Sequence, residues 1–249
     1  MTAGAFRDEE LLASAILHRL GDVRHVAVGA SSPIPATAAL LARHLGGGRP
    51  FVSLLSSERH NFFTDGGREL FDCGGQGRID AFFLSGGQID GEANINLVAI
   101  GDYAKPKVRF PGSFGSAYLY YVVPKVILFR VEHSRRTLVP KVDFISAPGV
   151  IEPNVYRPGG PIALVTSRCL FSFANGRFTL ASVHPGHTVE EVTENTGFDF
   201  DKLASVAETP PPSSATLKLL RETVAPQLAE VYPQFAAQVF GIGQAAFAR

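Results

Sequence analysis

The stretch AFFLSGGQIDGEANINL, residues 81–97, places a dense run of polar side chains directly behind a short apolar segment. Ala81 to Leu84 suit a buried strand, and Ser85, Gly86 and Gly87 follow without a break. Glycine readily adopts a positive φ and lets another backbone come close. We therefore predict that a strand ends here in a tight turn.

Amide and carboxyl groups follow this predicted turn: Gln88, Asp90, Glu92, Asn94 and Asn96. In open α/β sheets, ligands bind just beyond the carboxyl ends of the strands, so this position favours a binding or catalytic site. The structural alternative is a well-capped turn whose amides satisfy their own backbone. The residue types alone do not choose between the two interpretations.

A second predicted strand, HVAVGA over residues 25–30, also ends in polar residues. It leads into Ser31 and Ser32 and then into a helix predicted over residues 36–45. Two hydroxyl groups and a helix N-terminus can hold an anionic group. Serine is equally common as a plain helix cap, so both interpretations stay open.

The strand predicted over residues 51–55 ends in a third polar cluster, which contains Ser57, Glu58, Arg59 and His60. Ser57 and His60 suggest a nucleophile and a base, but no evident acid orients the histidine. Glu58 can serve as a catalytic carboxylate, whereas an exposed loop acid is the commonest role of glutamate.

Composition excludes several classes of function. Of the 249 residues, 45% are hydrophobic and 18% are charged, and 23 basic residues balance 23 acidic ones. This balance is typical of a globular protein and predicts neither a nucleic-acid partner nor a membrane surface as partner. No apolar run is long enough to span a membrane, and charged residues at 7–10 interrupt any signal-peptide core, so we expect a cytoplasmic protein.

The two cysteines and seven histidines predict no metal site. Cys73 and Cys169 belong to no CxxC motif, and the histidines form no HxH or HExxH pattern. We interpret both cysteines as small buried hydrophobic residues. Neither a metal nor a bound cofactor is expected.

The order of elements predicts an α/β fold, an open and mostly parallel sheet sandwiched by helices, with an added antiparallel hairpin. The hairpin joins residues 161–173 to residues 177–183 across Asn175-Gly176, a dipeptide typical of tight β-turns. Further expectations are a helix over 8–20, irregular structure with at most one short helical turn over 62–77, a strand over 141–148, a helix from Thr188 to about Gly197, and a last short helix that stops before Pro226. We expect an α/β domain over residues 1–208 and a Pro-rich linker with a helical extension over residues 209–249.

Six motifs occur in an order that resembles the β subunit of family I coenzyme A transferases, most closely the glutaconate CoA-transferase type. They are SGGQID (85–90), IGDY (100–103), PKVRFPGS (106–113), EHSRR (132–136), KVDFISAPG (141–149) and VTENTGFD (192–199). Several motifs in one order are far more specific than any single one. The resemblance covers roughly residues 8–228.

The resemblance implies a partner α subunit of similar fold, in an α2β2 or larger hetero-oligomer, and an active site between the two subunits. In this family a glutamate of the β subunit attacks the acyl-CoA thioester and becomes, by way of an anhydride, a glutamyl-CoA thioester. Glu58 can be aligned with that glutamate. Coenzyme A then takes part as a thioester substrate, beside a carboxylic acid, and not as a bound cofactor.

The remaining candidate residues fall into three groups. Oxyanion stabilisation or substrate binding is expected from Gly86, Gly87, Gln88 and Asn94. Loops that approach CoA or the substrate are expected at Ser31, Ser32, Gly112 and Ser113, with a plain crossover turn as the alternative for the last two. The third group is the charged strand end with Arg130, His133, Arg135 and Arg136. It is expected to bind CoA phosphates, an acidic substrate or a neighbouring subunit.

One departure from the family pattern keeps other functions open. The family's catalytic glutamate lies in a short Glu-Ser/Asn-Gly motif, whereas this chain has Ser57-Glu58-Arg59-His60. The ring-cleaving acyl-CoA hydrolases of bacterial steroid degradation resemble CoA-transferases in both subunits and lack this glutamate, so such a hydrolase is the first alternative. The second is a non-catalytic subunit that completes the pocket of its partner.

Overall fold

The computed structural model describes residues 6–242, so the last seven residues of the predicted 209–249 extension lie outside the described residues. Its strands are β1 (His25–Val28), β2 (Phe51–Leu54), β3 (Ala81–Leu84), β4 (Gln88–Ile89), β5 (Ile95–Asn96), β6 (Ala99–Ile100), β7 (Val108–Arg109), β8 (Lys125–Arg130), β9 (Gly160–Thr166), β10 (Cys169–Ala174), β11 (Arg177–Val183) and β12 (Asp201–Glu208). Its α-helices are α1 (Asp8–Leu20), α2 (Pro33–Leu45), α3 (Gly66–Gly75), α4 (Ser116–Val122), α5 (Val189–Asn195), α6 (Ser214–Leu219), α7 (Ala225–Val231) and α8 (Pro233–Phe240). A π-helical turn, Leu220–Val224, joins α6 to α7.

Eight strands form the main sheet in the spatial order β12-β11-β10-β9-β8-β3-β1-β2. Strand β10 pairs antiparallel with β9 and with β11, and the other five pairs are parallel. The predicted mostly parallel sheet is therefore confirmed. The predicted hairpin is confirmed as β10 and β11, which meet across Asn175 and Gly176, but its predicted first arm, 161–173, forms two antiparallel strands, β9 and β10.

Helices cover both faces of this sheet. Successive residues of β1 point to opposite sides, because Val26 packs in the cluster that contains Leu40 of α2 and Ala27 packs in the cluster that contains Tyr120 of α4. Every residue of β3 is buried, as expected for a parallel strand between two helical layers. Among the described residues, no helix combines the length and the apolar character that a membrane span needs.

Two expectations from the sequence are wrong, and one strand was not predicted. Residues 62–77 contain helix α3, and strand β12 was not anticipated. The segment 141–148 forms no strand, since its one ladder contact is an isolated bridge between Ala147 and Ile95. Side chains occupy its backbone donors instead: Val142 N donates to Asp90 and Asp143 N to Gln88. Side-chain acceptors that are distant in sequence thus take the place of strand pairing here.

The last helix does not stop before Pro226, which is a further correction. Proline has no backbone N–H and clashes with the preceding turn of a regular helix. Here the π-helical turn precedes it, and Ala225 N donates to Leu220 O, five residues back. The wider turn lets the chain continue through α7. Leu220, Val224 and Leu228 then pack in the same cluster as α1 and α2.

Candidate active site

Three strand ends meet at a cavity of about 560 Å³. Ser31 follows β1, Ser85 and Gly86 follow β3, and Arg130 ends β8; the three strands are parallel neighbours in the sheet. Their carboxyl ends therefore share one edge, where α/β topology favours a ligand site. A second cavity of about 520 Å³ also has Ser31, Ser85 and Arg130 in its lining and extends to the start of α2.

Part of the lining is apolar: Leu97, Ile100, Val108, Phe110 and Pro111. A Cβ on Gly87 would overlap the ring of Phe110, and one on Gly86 would lie 2.8 Å from the carbonyl oxygen of Gln88. Neither glycine has a positive φ. The glycine pair is required here for close approach, which is the second of the two uses that the sequence suggested.

The charged residues of the lining, Arg130 and Arg136, both bond Glu132, which lines the second cavity. Its carboxylate accepts hydrogen bonds from Arg130 Nη2 (3.2 Å), Arg136 Nε (3.1 Å), Arg136 Nη2 (2.9 Å) and Ser134 Oγ (2.7 Å). Partial burial opposes ionisation, but the bonds from Ser134, Arg136 and Arg130 hold the pKa of Glu132 below its usual value. Two guanidinium groups and one carboxylate leave a net positive charge. Arg130 Nε is buried and has no acceptor within the described residues, so the cavity suits an anion.

His133, predicted beside these arginines, lies elsewhere. It is 4% exposed, and its ring bonds Thr166 Oγ1 (2.8 Å) and Thr196 Oγ1 (3.0 Å). Burial and the charge of Arg168 lower the pKa of His133 to about 4. The neighbouring His184 is also buried, donates from Nε2 to the Thr166 carbonyl (3.0 Å), and has a pKa lowered by burial to about 4. Both histidines are neutral structural groups.

Ser31 and Ser32 are placed differently from each other. Ser31 is exposed, has φ +56° and lines both cavities. Ser32 precedes α2 without capping it through its side chain, and its backbone N donates to Tyr232 Oη (3.3 Å). Pro33 and Pro35 remove two N–H groups from the first turn of α2. This helix start is therefore a poorer anion site than the sequence suggested.

Glu58 follows β2 at the same edge of the sheet but lines neither cavity. Its side chain is exposed, and within the described residues no hydrogen bond to its carboxylate is found. Ser56, two residues beyond the end of β2, has φ +74°, a strained conformation for a residue with a side chain. The carboxylate of Glu230 in α7 accepts hydrogen bonds from Ser57 Oγ (2.8 Å) and Glu58 N (2.5 Å).

His60 completes the loop after β2. Its Nδ1 accepts a hydrogen bond from Arg43 Nη1 (3.3 Å), so the neutral ring carries its proton on Nε2. Burial and the charge of Arg43 lower the pKa of His60. The Ser57 hydroxyl therefore donates to the Glu230 carboxylate and not to the His60 ring.

Gln88 and Asn94 are buried in the turn after β3, and their amides bond the protein itself. Gln88 Oε1 accepts from Asn96 Nδ2 (2.7 Å) and Asp143 N (3.0 Å). Asn94 Nδ2 donates to Asp90 Oδ2 (3.1 Å), and Asn94 Oδ1 accepts from Gly149 N (3.1 Å). Asn94 lines a separate cavity of about 660 Å³ that shares no lining residue with the first.

Gly112 and Ser113 lie just beyond the cavity-lining Phe110 and Pro111. Gly112 has φ +95°, which favours glycine. The carbonyl oxygen of Ser113 accepts from Ser116 N (2.8 Å) at the start of α4. Neither residue lines the cavity. Within residues 6–242, no group of three or more His, Cys, Asp or Glu side chains could hold a metal ion.

The structure thus joins Ser31, Gly86 and Gly87 to Arg130 and Arg136, and separates Gln88, Asn94 and Glu58 from them. Sequence reasoning considered both arginines but missed Glu132, although arginines two residues before and four after it are a readable signal. It also missed Glu230. No local pattern announces that residue, because it is 172 positions from Glu58.

Two relatives of known function share part of this chain. It is 40% identical over 153 residues to the β subunit of 3-oxoadipate CoA-transferase from Pseudomonas knackmussii, a match that spans 58% of each protein. It is 30% identical over 172 residues to the cholesterol ring-cleaving hydrolase IpdB subunit of Rhodococcus jostii, covering 64% of this chain and 65% of that one. The aligned segments thus span less than two thirds of these relatives.

A solved structure and a family profile extend the comparison. The crystal structure of glutaconate coenzyme A-transferase from Acidaminococcus fermentans matches with a TM-score of 0.78 at 25% identity, and the match covers 96% of this chain and 98% of that chain. The family profile described as Coenzyme A transferase matches residues 51–195, which include β2, β3, β8 and the Glu132 cluster. This chain belongs to the coenzyme A transferase family.

Proposed function

We propose that this chain is the β subunit of an enzyme that moves CoA between an acyl-CoA and a carboxylic acid, with Glu58 as the covalent nucleophile. The observation that carries the proposal is the placement of Glu58. Its carboxylate is exposed at the carboxyl end of β2, while its backbone N–H is held by Glu230. A nucleophile needs a free side chain on a fixed backbone.

The reaction uses this carboxylate twice. A Glu58 oxygen attacks the thioester carbon and the C–S bond breaks. CoA thiolate departs, and an acyl-glutamyl anhydride remains. The thiolate then attacks the glutamyl carbon and releases the donor carboxylate, which leaves glutamyl-CoA. An acceptor carboxylate reverses both steps and departs as the new acyl-CoA. Coenzyme A is substrate throughout, and the chain needs no bound cofactor for these steps.

The acyl group that we propose carries a second carboxylate. The cavity combines an apolar lining for methylene groups with Arg130 and Arg136 for an anion. Two relatives are named for 3-oxoadipate and glutaconate, which are both dicarboxylates. Arginine recognises a carboxylate through paired N–H donors. The backbone N–H of Gly86 is the oxyanion donor that we propose at this cavity, because Gly87 N already donates to Asn96 O (2.9 Å).

A partner α subunit completes the site in this proposal. Glu58 lies outside the lining of the cavity. The surface of the α subunit must therefore hold the acyl-CoA so that it reaches both Glu58 and the cavity. Two relatives are named as one kind of subunit of a CoA-transferase. We propose an α2β2 or larger hetero-oligomer, built from a domain over residues 1–208 and a helical extension from residue 209, that works in the cytoplasm on acyl-CoA and a carboxylic acid.

A ring-cleaving acyl-CoA hydrolase is the second candidate. One observation favours it. Strained residues cluster at active sites, and the strained, exposed residue in the loop after β2 is Ser56, which is not an acid. The Rhodococcus relative is named as such a hydrolase subunit. In that case the partner subunit would supply the base, and this chain would contribute the arginine-lined cavity.

Trapping separates the two candidates. The purified complex is incubated with dicarboxylic acyl-CoA thioesters, treated with hydroxylamine or borohydride, and its peptides are weighed by mass spectrometry. Modification at Glu58, with isotopic label passing between acyl-CoA and free acid, is the transferase result. Consumption of acyl-CoA with an unmodified chain and no label exchange rejects the covalent mechanism and favours the hydrolase.

A further inference from the structure

The end of α7 holds the loops that follow β1 and β2. Glu230 accepts hydrogen bonds from the Ser57 hydroxyl and the Glu58 backbone, and Tyr232 Oη accepts one from Ser32 N. Leu228 and Ala229, directly before Glu230, are 0% and 2% exposed. The helix is therefore anchored in the core, and Glu230 reaches the loop from a rigid support.

The Ser57 hydroxyl makes three hydrogen bonds in this loop, and its proton points to Glu230. A hydroxyl has one donor and two acceptor sites. Ser57 Oγ accepts from Arg59 N (3.2 Å) and from His60 N (2.8 Å), so its single proton is available to one acceptor. A carboxylate accepts and cannot donate, so the Ser57 proton points to Glu230. All three capacities of Ser57 are thereby used at once.

The backbone of this loop needs external support. Ser56 has a positive φ, Glu58 and Arg59 are exposed, and the loop closes on β2 through Leu54 N donating to His60 O (2.9 Å). Strained residues persist where surrounding bonds over-determine them. The two hydrogen bonds that Glu230 accepts are charge-assisted, which makes them stronger than neutral hydrogen bonds.

We propose that Glu230 is a positioning residue, through which the C-terminal helices α6 to α8 fix the backbone of Glu58 for attack on the thioester. The inference rests on the proposed function of Glu58. It assigns no bond to substrate for Glu230. A glutamine at this position offers one acceptor and one donor group, so it cannot accept from Ser57 Oγ and Glu58 N through two equivalent oxygens.

The test compares Glu230→Gln with Glu222→Gln in the intact α/β complex. Glu222 is an exposed acid of the same helical segment and pairs with Lys218 at 4.0 Å, so the control makes the same charge change. We expect Glu230→Gln to lower kcat about tenfold or more, with KM for acyl-CoA within about twofold, because misplacement of a reacting group acts on the chemical step. Glu222→Gln should match the unmodified complex.

Two readouts test the pathway of this effect. Amide hydrogen exchange in the peptide over residues 55–60 should quicken in Glu230→Gln and not in Glu222→Gln. Ser57→Ala should also lower kcat, and the double variant should lose less than the two single losses combined, because both changes remove the bond between Ser57 Oγ and Glu230. Additive losses of kcat would contradict a shared link.

The outcomes distinguish a failure of the positioning role of Glu230 from a failure of the proposed nucleophile Glu58. Trapping at Glu58 in the unmodified complex, with unchanged kcat in Glu230→Gln, overturns the role of Glu230 alone. Absence of trapping at Glu58 in an active complex overturns the proposed function and the positioning role together. Faster exchange over residues 55–60 with unchanged kcat shows that Glu230 orders the loop without serving the reaction, which also overturns the inference.

Discussion

The loop after β2 and the turn after β3 follow parallel strands of one sheet, and they use their polar side chains in opposite ways. In the first, the Glu58 backbone N donates a hydrogen bond to Glu230, and the carboxylate of Glu58 stays exposed. In the second, Asp90 and Asn94 bond each other and the neighbouring backbone, and both are 4% exposed. A polar side chain beyond a strand is thus available for chemistry only if the fold satisfies the backbone by other means.

Replacing Glu58 by glutamine should give the largest effect. The amide is a poor nucleophile, so we expect CoA exchange to fall by at least about a thousandfold. The midpoint of thermal unfolding should stay unchanged, because the side chain is exposed. Steady-state exchange and thermal unfolding of the complex measure both. Glu152→Gln, another exposed acid, is the control, and retention of exchange in Glu58→Gln would reject the nucleophile.

Lowering the pH should destabilise the folded chain through the buried residues His133 and His184. The pKa values of His133 and His184 are lowered to about 4 in the folded chain, against about 6.5 when unfolded. The unfolded state therefore binds more protons between these values, and stability is lost as the pH falls from about 6.5 to about 4. From pH 7 to 5 the two histidines together should remove on the order of 4 kcal/mol.

Urea unfolding at a series of pH values measures that loss. His18 is exposed, so His18→Gln should leave the pH dependence as it is. A free energy of unfolding that stays level from pH 7 to pH 5 would contradict neutral burial of His133 and His184.

Asn94→Ala should act on stability and leave the chemistry intact. The change leaves the buried Gly149 N without its acceptor and removes one of the two donors to Asp90 Oδ2, which keeps Val142 N. Unpaired buried groups cost about 1–3 kcal/mol each, so we expect a loss of about 2 kcal/mol. Urea unfolding measures the loss, with exposed Asn154→Ala as control. If folded Asn94→Ala enzyme lost its kcat, the amide would belong to the site after all.

Arg136→Met should give the smallest effect, on the choice of substrate. We expect KM for dicarboxylic acyl-CoA to rise about tenfold, which corresponds to about 1.4 kcal/mol, and KM for monocarboxylic acyl-CoA to change little. Arg135 is adjacent, exposed and absent from the cavity lining, so Arg135→Met is the matched control. Equal rises for both substrate classes would reject carboxylate recognition by Arg136.

Local patterns predicted the regular parts of this fold and failed where side chains act as backbone partners. The apolar runs of β1 and β3 and the Asn175-Gly176 turn were read correctly, since such signals depend on neighbours in the chain. The segment 141–148 has the composition of a strand, yet Gln88 and Asp90 occupy its donors. The prediction that the last helix stops before Pro226 was wrong, because no sequence pattern indicated the π-helical turn that lets the chain continue.

The amino-acid sequence by itself determined the family, the mostly parallel sheet and the edge where the candidate residues gather. These follow from motif order, from apolar periodicity and from the direction of the strands. Only the tertiary structure decided which of those residues are free. Glu230 and Glu58 are 172 residues apart, and the bonds that consume Asn94 reach Gly149, 55 residues away. Hydrogen bonds over such separations form only when packing brings their elements together, so no local spacing encodes them.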